Sequence, residues 1–163
     1  MNRRMNAAIF GALMMAISTM GCAGKGIKKT TPPRPQHEEQ ETSMRGKEFI
    51  STSELATIYF DYDMADLSED SRDILKKNAV WLKKNPKVEV QIQGHCDDRG
   101  TNSYNLGLGQ RRATKVRDYY KALGIRMDRM ATISYGEEMP VCQESTEECW
   151  QKNRRAETMI HKK

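Results

Sequence analysis

The sequence is poor in the residues that build metal and redox centres. Its 163 residues include four cysteines and three histidines, with no C-x-x-C pair. That spacing disfavours a zinc site made from the cysteines and His95. There is no G-x-S-x-G elbow, no H-E-x-x-H and no P-loop, which leaves out the commonest hydrolase, zincin and nucleotide-binding arrangements. Aromatic residues are only 7%, and charge of neither sign dominates: 27 Lys and Arg face 22 Asp and Glu, a net of +5. The basic residues are interspersed with acids and few aromatics accompany them, so a nucleic-acid surface is not expected. Internal repeats are absent too. Hydrophobic residues make up 37%, enough for one small core in one domain with appendages.

Long apolar runs are also scarce. The stretch Met5 to Met20 carries no charge and follows the basic Asn2-Arg3-Arg4. It is short for a stable membrane span and ends in Gly21-Cys22-Ala23, the shape of a cleaved secretory signal over residues 1–21. A Gly-Cys pair at that point resembles the bacterial lipobox, in which the cysteine becomes the lipidated first residue. Thr19 and Met20 depart from the usual lipobox, and plain signal cleavage or a retained anchor are the alternatives. Lipidation at Cys22 is the expectation, and several acyl chains on one cysteine make a firm anchor. Losing residues 1–21 removes Arg3 and Arg4 and no acid, so the charge falls from +5 to +3.

Residues 22–53 are polar, contain Pro32, Pro33 and Pro35, and lack apolar periodicity. They read as a disordered tether, able to span at most roughly 100 Å when extended. An exported chain meets an oxidising compartment. Cys142 and Cys149 flank a short polar loop and are expected to close it as a disulfide, leaving Cys96 as a partly buried thiol.

Residues 54–163 carry the periodic patterns of a domain. Ile58 and Phe60 share one face of a strand. Ser68 is placed to N-cap a helix with Glu69 and Asp70 in its first turn. Its apolar stripe is Ile74, Leu75, Ala79 and Leu82, and Asn85-Pro86 stops it. Val88, Val90 and Ile92 alternate with polar residues in a half-buried strand. A loop over 94–102 leads to a helix from about Ser103 to Ala122, with Leu106, Gly109, Ala113, Val116, Tyr120 and Leu123 on its core side. Gly107 and Gly109 weaken its start and suggest close backbone approach; Gly124 ends it. Ala131, Ile133 and Tyr135 form a further strand. A long loop over 136–149 follows, with a short helix near 147–152, and residues 156–160 form the last strand. The order predicts an α/β (α+β) sandwich, a mixed sheet with helices on one face.

Asp97 stands just past a strand end and Arg112 lies in the next helix, with a turn through Gly100 between them. Adjacent Asp97 and Asp98 point apart on a strand-like backbone, which suits catalysis by paired carboxylates poorly. Asp97 can receive an ammonium, and Arg112 a carboxylate on its two-pronged guanidinium. Such a pair fits a zwitterionic amino-acid end. A structural Asp97–Arg112 salt bridge is an equally good reading of the spacing.

The stretches "GHCDDRGTNSYNLGLGQRRA", "ISYGEEMP" and "KNRRAE" resemble the C-terminal peptidoglycan-binding domain of the OmpA family. The family pattern G-H-x-D-x-x-G, then N-x-x-L-(S/G)-x-x-R-A, falls on Gly94, His95, Asp97, Gly100, Asn105, Leu108, Gly109, Arg112 and Ala113. Gly109 with Arg99-Gly100-Thr101 points to the branch of peptidoglycan-associated lipoproteins. The resemblance covers roughly residues 55–161. It implies a non-enzymatic domain without cofactor or metal that binds peptidoglycan through the diaminopimelate of the stem peptide. By the resemblance Asp97 and Arg112 hold its ammonium and carboxylate, and Tyr62, Asp63, Arg99, Thr101 and Leu108 match other wall-contacting positions. It further implies an outer-membrane lipoprotein on the periplasmic face, tethering membrane to wall with the Tol proteins during envelope constriction and cell division. An OmpA-like lipoprotein outside the Tol system is the alternative. A flagellar-stator-type anchor is a weaker one, because the Met5–Met20 run has no ionisable residue.

Overall fold

A computed structural model describes residues 46–161. The signal over 1–21, the lipidation at Cys22 and most of the tether lie outside the described residues. Among the described residues five strands and three helices follow in the order β1 (Phe49–Ile50), β2 (Ile58–Tyr59), α1 (Glu69–Lys84), β3 (Val90–His95), α2 (Asn102–Ala122), β4 (Met130–Gly136), α3 (Glu147–Asn153) and β5 (Arg155–His161). A 3-10 turn at Met127–Arg129 leads into β4. Among the described residues no helix is long and apolar enough to cross a membrane.

The sheet is mixed. β3 pairs in parallel with β4 and antiparallel with β5. Both short strands pair antiparallel with the far edge of β5: Phe49 and Ile50 with His161 and Ile160, Ile58 and Tyr59 with Ala156 and Arg155. β1 lies in the stretch that the sequence assigns to the tether. Two residues are too few to display an alternation, so its pairing is set by β5.

Alternation sends Val90 and Ile92 to one face of the sheet, where Leu75, Ala79 and Leu82 of α1 and Ala113, Val116 and Tyr120 of α2 join them in the core. The Ser68 side chain caps α1 by accepting from the Ser71 N–H, with Glu69 and Asp70 in the first turn. Helix α2 sits hard against the sheet at Gly94 and Gly109. A Cβ on Gly94 would lie 1.9 Å from the Gly109 carbonyl oxygen, and one on Gly109 would lie 2.3 Å from Ser134 Oγ. Gly107 has no such constraint: its nearest neighbour is the end of the Arg111 side chain, at 3.6 Å. This backbone-to-backbone seat brings the start of α2 over the end of β3, where the loop bearing Asp97 begins.

The 142–149 loop is closed by a disulfide between Cys142 and Cys149, whose Cα atoms are 5.3 Å apart. Cys96 is a buried thiol, and burial pushes its pKa up to about 11.

Candidate functional site

At the end of β3 the pairing register slips between Gly94 and His95, and the chain leaves the sheet. Gly100 turns it in a left-handed conformation, φ +115°, which glycine adopts without steric cost. Thr101 then caps α2, its hydroxyl accepting from the Tyr104 N–H at 3.2 Å. Asn105, one turn into α2, reaches back and donates to the carbonyls of Asp97 and Arg99, each at 3.2 Å, and to Glu137 Oε2 at 2.5 Å. The loop is thus tied at its middle by a helix side chain.

A pocket of about 200 Å³ opens between this loop, the start of α2 and the turn after β2. Six of the seven wall-contacting positions implied by the resemblance line it: Tyr62, Asp63, Asp97, Arg99, Leu108 and Arg112. Gly100, Tyr104 and Asn105 complete the lining. Thr101 does not line it, and its hydroxyl is engaged in capping. Asp63 holds a positive φ of +56°, tolerated better by Asp than by most side chains, and accepts a hydrogen bond from the Tyr104 hydroxyl.

Asp97 is 4% exposed. Its Oδ2 accepts from Arg99 Nη2 at 2.6 Å and from Arg154 Nη1 at 3.1 Å. Burial pushes its carboxyl pKa up, but the bonds from Arg99 and Arg154 outweigh it and the net shift is downward. The carboxylate is therefore ionised at neutral pH and lines the pocket. The Arg99 guanidinium lies between two rings, 4.0 Å from the centroid of Tyr62 and 4.2 Å from that of Trp150, an attractive arrangement for a cation.

Arg112 departs from the expectation of an open fork. It is fully buried. Nε donates to the Met64 carbonyl at 2.8 Å, Nη1 to His95 at 2.8 Å and Nη2 to Asp61 at 3.1 Å. A fourth N–H points at Cys96 Sγ, 3.5 Å from Nη1. Of the five donors on a guanidinium one is left for a ligand. Nor does Arg112 pair with Asp97: among the described residues the carboxylate's partners are Arg99 and Arg154. Arg112 ties the turn after β2 to the end of β3 and places a positive charge behind the pocket.

Arg154 has no role in the sequence reading beyond its place in "KNRRAE". It is 3% exposed and joins three segments, bonding Asp97, Glu147 Oε1 at 2.5 Å and the Phe60 carbonyl at 3.2 Å. Glu147, Trp150 and Asn105 are likewise additions from the structure; only Asn105 had a signal, its position in the family pattern. A larger groove of about 490 Å³ runs along the start of α1, but its lining includes Asp61, Asp66 and Asp70 and no basic residue, which suits a zwitterion poorly. Among the described residues no group of three or more His, Cys, Asp or Glu could hold a metal ion.

A mixed sheet with two helices on one face, carrying a charged pocket at the β3–α2 junction, defines the class. The chain belongs to the OmpA family, whose model matches residues 59–154. It is similar to the peptidoglycan-associated lipoprotein of Brucella melitensis, 36% identical over 162 residues, covering 92% of this chain and 89% of the relative. It is also similar to the crystal structure of the peptidoglycan-associated lipoprotein from Burkholderia pseudomallei, with a TM-score of 0.63 and 38% identity over 64% of this chain and 89% of that one. The C-terminal domain of Helicobacter pylori MotB shares the fold, with a TM-score of 0.63 at 22% identity, covering 66% of this chain and 85% of that one.

Proposed function

We propose that the pocket binds peptidoglycan noncovalently by holding the free end of a diaminopimelate residue in the stem peptide. The observation that carries this reading is the charge balance around one small pocket. Asp63, Asp97 and Glu147 face Arg99, Arg112 and Arg154, so acids and bases cancel, as a ligand end bearing one ammonium and one carboxylate requires. The ammonium takes the side of Asp97 and Asp63. The carboxylate takes the side of Arg99 and the remaining N–H of Arg112. Tyr62 and Leu108 flank the methylenes, and Thr101 stands with this set by family resemblance.

The wider role we propose is supported by the names of the relatives and by the N-terminal sequence. Lipidation at Cys22 would anchor the chain in the outer membrane facing the periplasm, and the residues ahead of β1, 22–46, would give the domain its reach to the wall. Partnership with Tol proteins rests on the family resemblance. The role is binding, not catalysis.

Cosedimentation with purified sacculi tests the reading. The parent should pellet with the sacculi, and Asp97→Ala should remain in the supernatant while keeping its circular dichroism. Equal pelleting of the two would remove Asp97 from the binding role. Mass spectrometry of the membrane-extracted chain should show an acylated Cys22 at the N-terminus. An unlipidated N-terminus at Ala23 or Gly24 would defeat the anchor.

A further inference from the structure

We infer that Glu147 and Trp150, presented by the disulfide-closed helix α3, are positioning residues that hold Arg99 in the pocket, so that opening Cys142–Cys149 weakens wall binding without abolishing it. The inference rests on the proposed binding of diaminopimelate at Asp97.

Arg99 is the most conditional member of the pocket. It follows a turn, it is part-exposed, and long side chains of this type are rotamer-rich. Its guanidinium is nonetheless held by four groups. Asp97 Oδ2 takes Nη2 at 2.6 Å, Glu147 Oε2 lies 3.6 Å from Nη1, and the Tyr62 and Trp150 rings close on its two faces. Two of those four groups come from α3. The same Glu147 accepts from Arg154 through its other oxygen, so one exposed carboxylate orients both arginines that bind Asp97.

Helix α3 has seven residues, too few to be stable by itself. Two ties hold it to one segment. At its C-terminal end the Asn153 side chain accepts from the Val141 and Cys142 N–H groups at 2.9 and 3.1 Å and donates to the Cys142 carbonyl at 2.7 Å. In its first turns Cys149, 1% exposed, carries the disulfide to Cys142. Glu147 and Trp150 stand on either side of Cys149 in the chain, and Arg154 follows Asn153. The disulfide therefore secures the Arg99 limb of the network, and Asn153 the Arg154 limb.

A dithiol reductant separates the two. It gives two electrons and two protons, the S–S bond breaks, both sulfurs become thiols, and the reductant closes its own disulfide. The Asn153 tie remains, so Arg154 stays on Asp97 and Glu147, while the turn bearing Trp150 loosens and Arg99 loses the firm hold of its second ring. Loss of one cation–π contact and of preorganisation corresponds to a weakening of about three- to tenfold.

The test is calorimetric titration of the exported, detergent-extracted full chain with a synthetic stem tripeptide ending in diaminopimelate. Trp150→Leu and the Cys142→Ser/Cys149→Ser double variant should each bind about three- to tenfold more weakly. Trp150→Phe should recover most of the parental affinity, because it restores a ring over Arg99. Glu147→Gln removes the charge of an exposed carboxylate, keeps an oxygen to accept from Arg154, and should also weaken binding. In an Arg99→Ala background, Trp150→Leu should add nothing, a result that a merely structural role for the ring would not give. Parental affinity in Trp150→Leu and Glu147→Gln, or a further loss from Trp150→Leu on top of Arg99→Ala, would overturn the inference. If the parent binds and Asp97→Ala does not, that failure is confined to α3. If the parent does not bind, or Asp97→Ala binds equally, the diaminopimelate reading fails and this inference with it.

Discussion

Replacing Arg112 by Ala should destabilise the domain markedly as well as silence the pocket. The guanidinium is fully buried and donates to the carbonyls of Asp61, Met64 and His95. It also lies over the Phe60 ring, 4.9 Å from its centroid. Truncation leaves three carbonyls without their donor and a cavity where the side chain ran. An unsatisfied buried group costs about 1–3 kcal/mol, and three carbonyls lose their donor at once. Release of the guanidinium's own desolvation penalty offsets part of the sum, so about 3–5 kcal/mol is the expected net loss. Domains of this size are stable by only about 5–15 kcal/mol. At about 4–8 °C per kcal/mol the melting temperature should fall by at least about 12 °C. Arg112→Lys should recover only part of this, because one ammonium cannot span three carbonyls pointing from two segments. Thermal unfolding followed by circular dichroism is the assay. Melting of Arg112→Ala within about 4 °C of the parent would refute the view that the residue is architectural.

Asp97→Asn should lose stability at neutral pH, and the sign of its pH dependence is set by the direction of the Asp97 shift. The native carboxyl lies below its ordinary value of 3.8, so its contribution is full above about pH 4 and is lost as pH falls through the native value; the gap between parent and variant should close in acid. His95 behaves as a buried neutral base. Burial first, then Arg155, draw its pKa from 6.5 to about 4, while Glu157 opposes them, and neither ring nitrogen has a partner among the described residues. Only the unfolded chain then takes up its proton between pH 6.5 and about 4. Stability should fall over that window by up to about 3 kcal/mol, and His95→Phe, which keeps the stack on Tyr135, should flatten the slope in urea unfolding. A slope unchanged by His95→Phe would contradict this. Gly94→Ala should be destabilised more than Gly107→Ala, since only at Gly94 does the added Cβ meet backbone, at 1.9 Å; equal melting temperatures would contradict the close seat of α2.

The features of this chain that were legible in sequence are those written in side chains at short range. The Ser68 cap, the alternation through Val90 and Ile92, the Gly94–Asn102 turn and the stripe through Ala113, Val116 and Tyr120 all depend on neighbours a few residues apart. The misreadings have two physical sources. Arg112 binds carbonyls, and a carbonyl looks the same in every residue, so nothing in the sequence marks Asp61, Met64 and His95 as its partners. Arg154, Glu147 and Trp150 reach Asp97 and Arg99 across about fifty residues, through a short helix whose placement depends on Asn153 and the disulfide. Leu106, expected on the core side, is only half-buried, whereas Leu108 is buried and lines the pocket.

The central claim, a pocket made for an ammonium and a carboxylate on one carbon, is tested most directly by competition. The chain is bound to purified sacculi and challenged with free diaminopimelate, with pimelate, which lacks the ammonium groups, and with 1,5-diaminopentane, which lacks the carboxylates. Displacement by diaminopimelate at concentrations at least about tenfold below those needed for either analogue is the predicted result, because each analogue leaves one side of the pocket's charge unpaired. Equal displacement by all three, or none by diaminopimelate, would contradict the account.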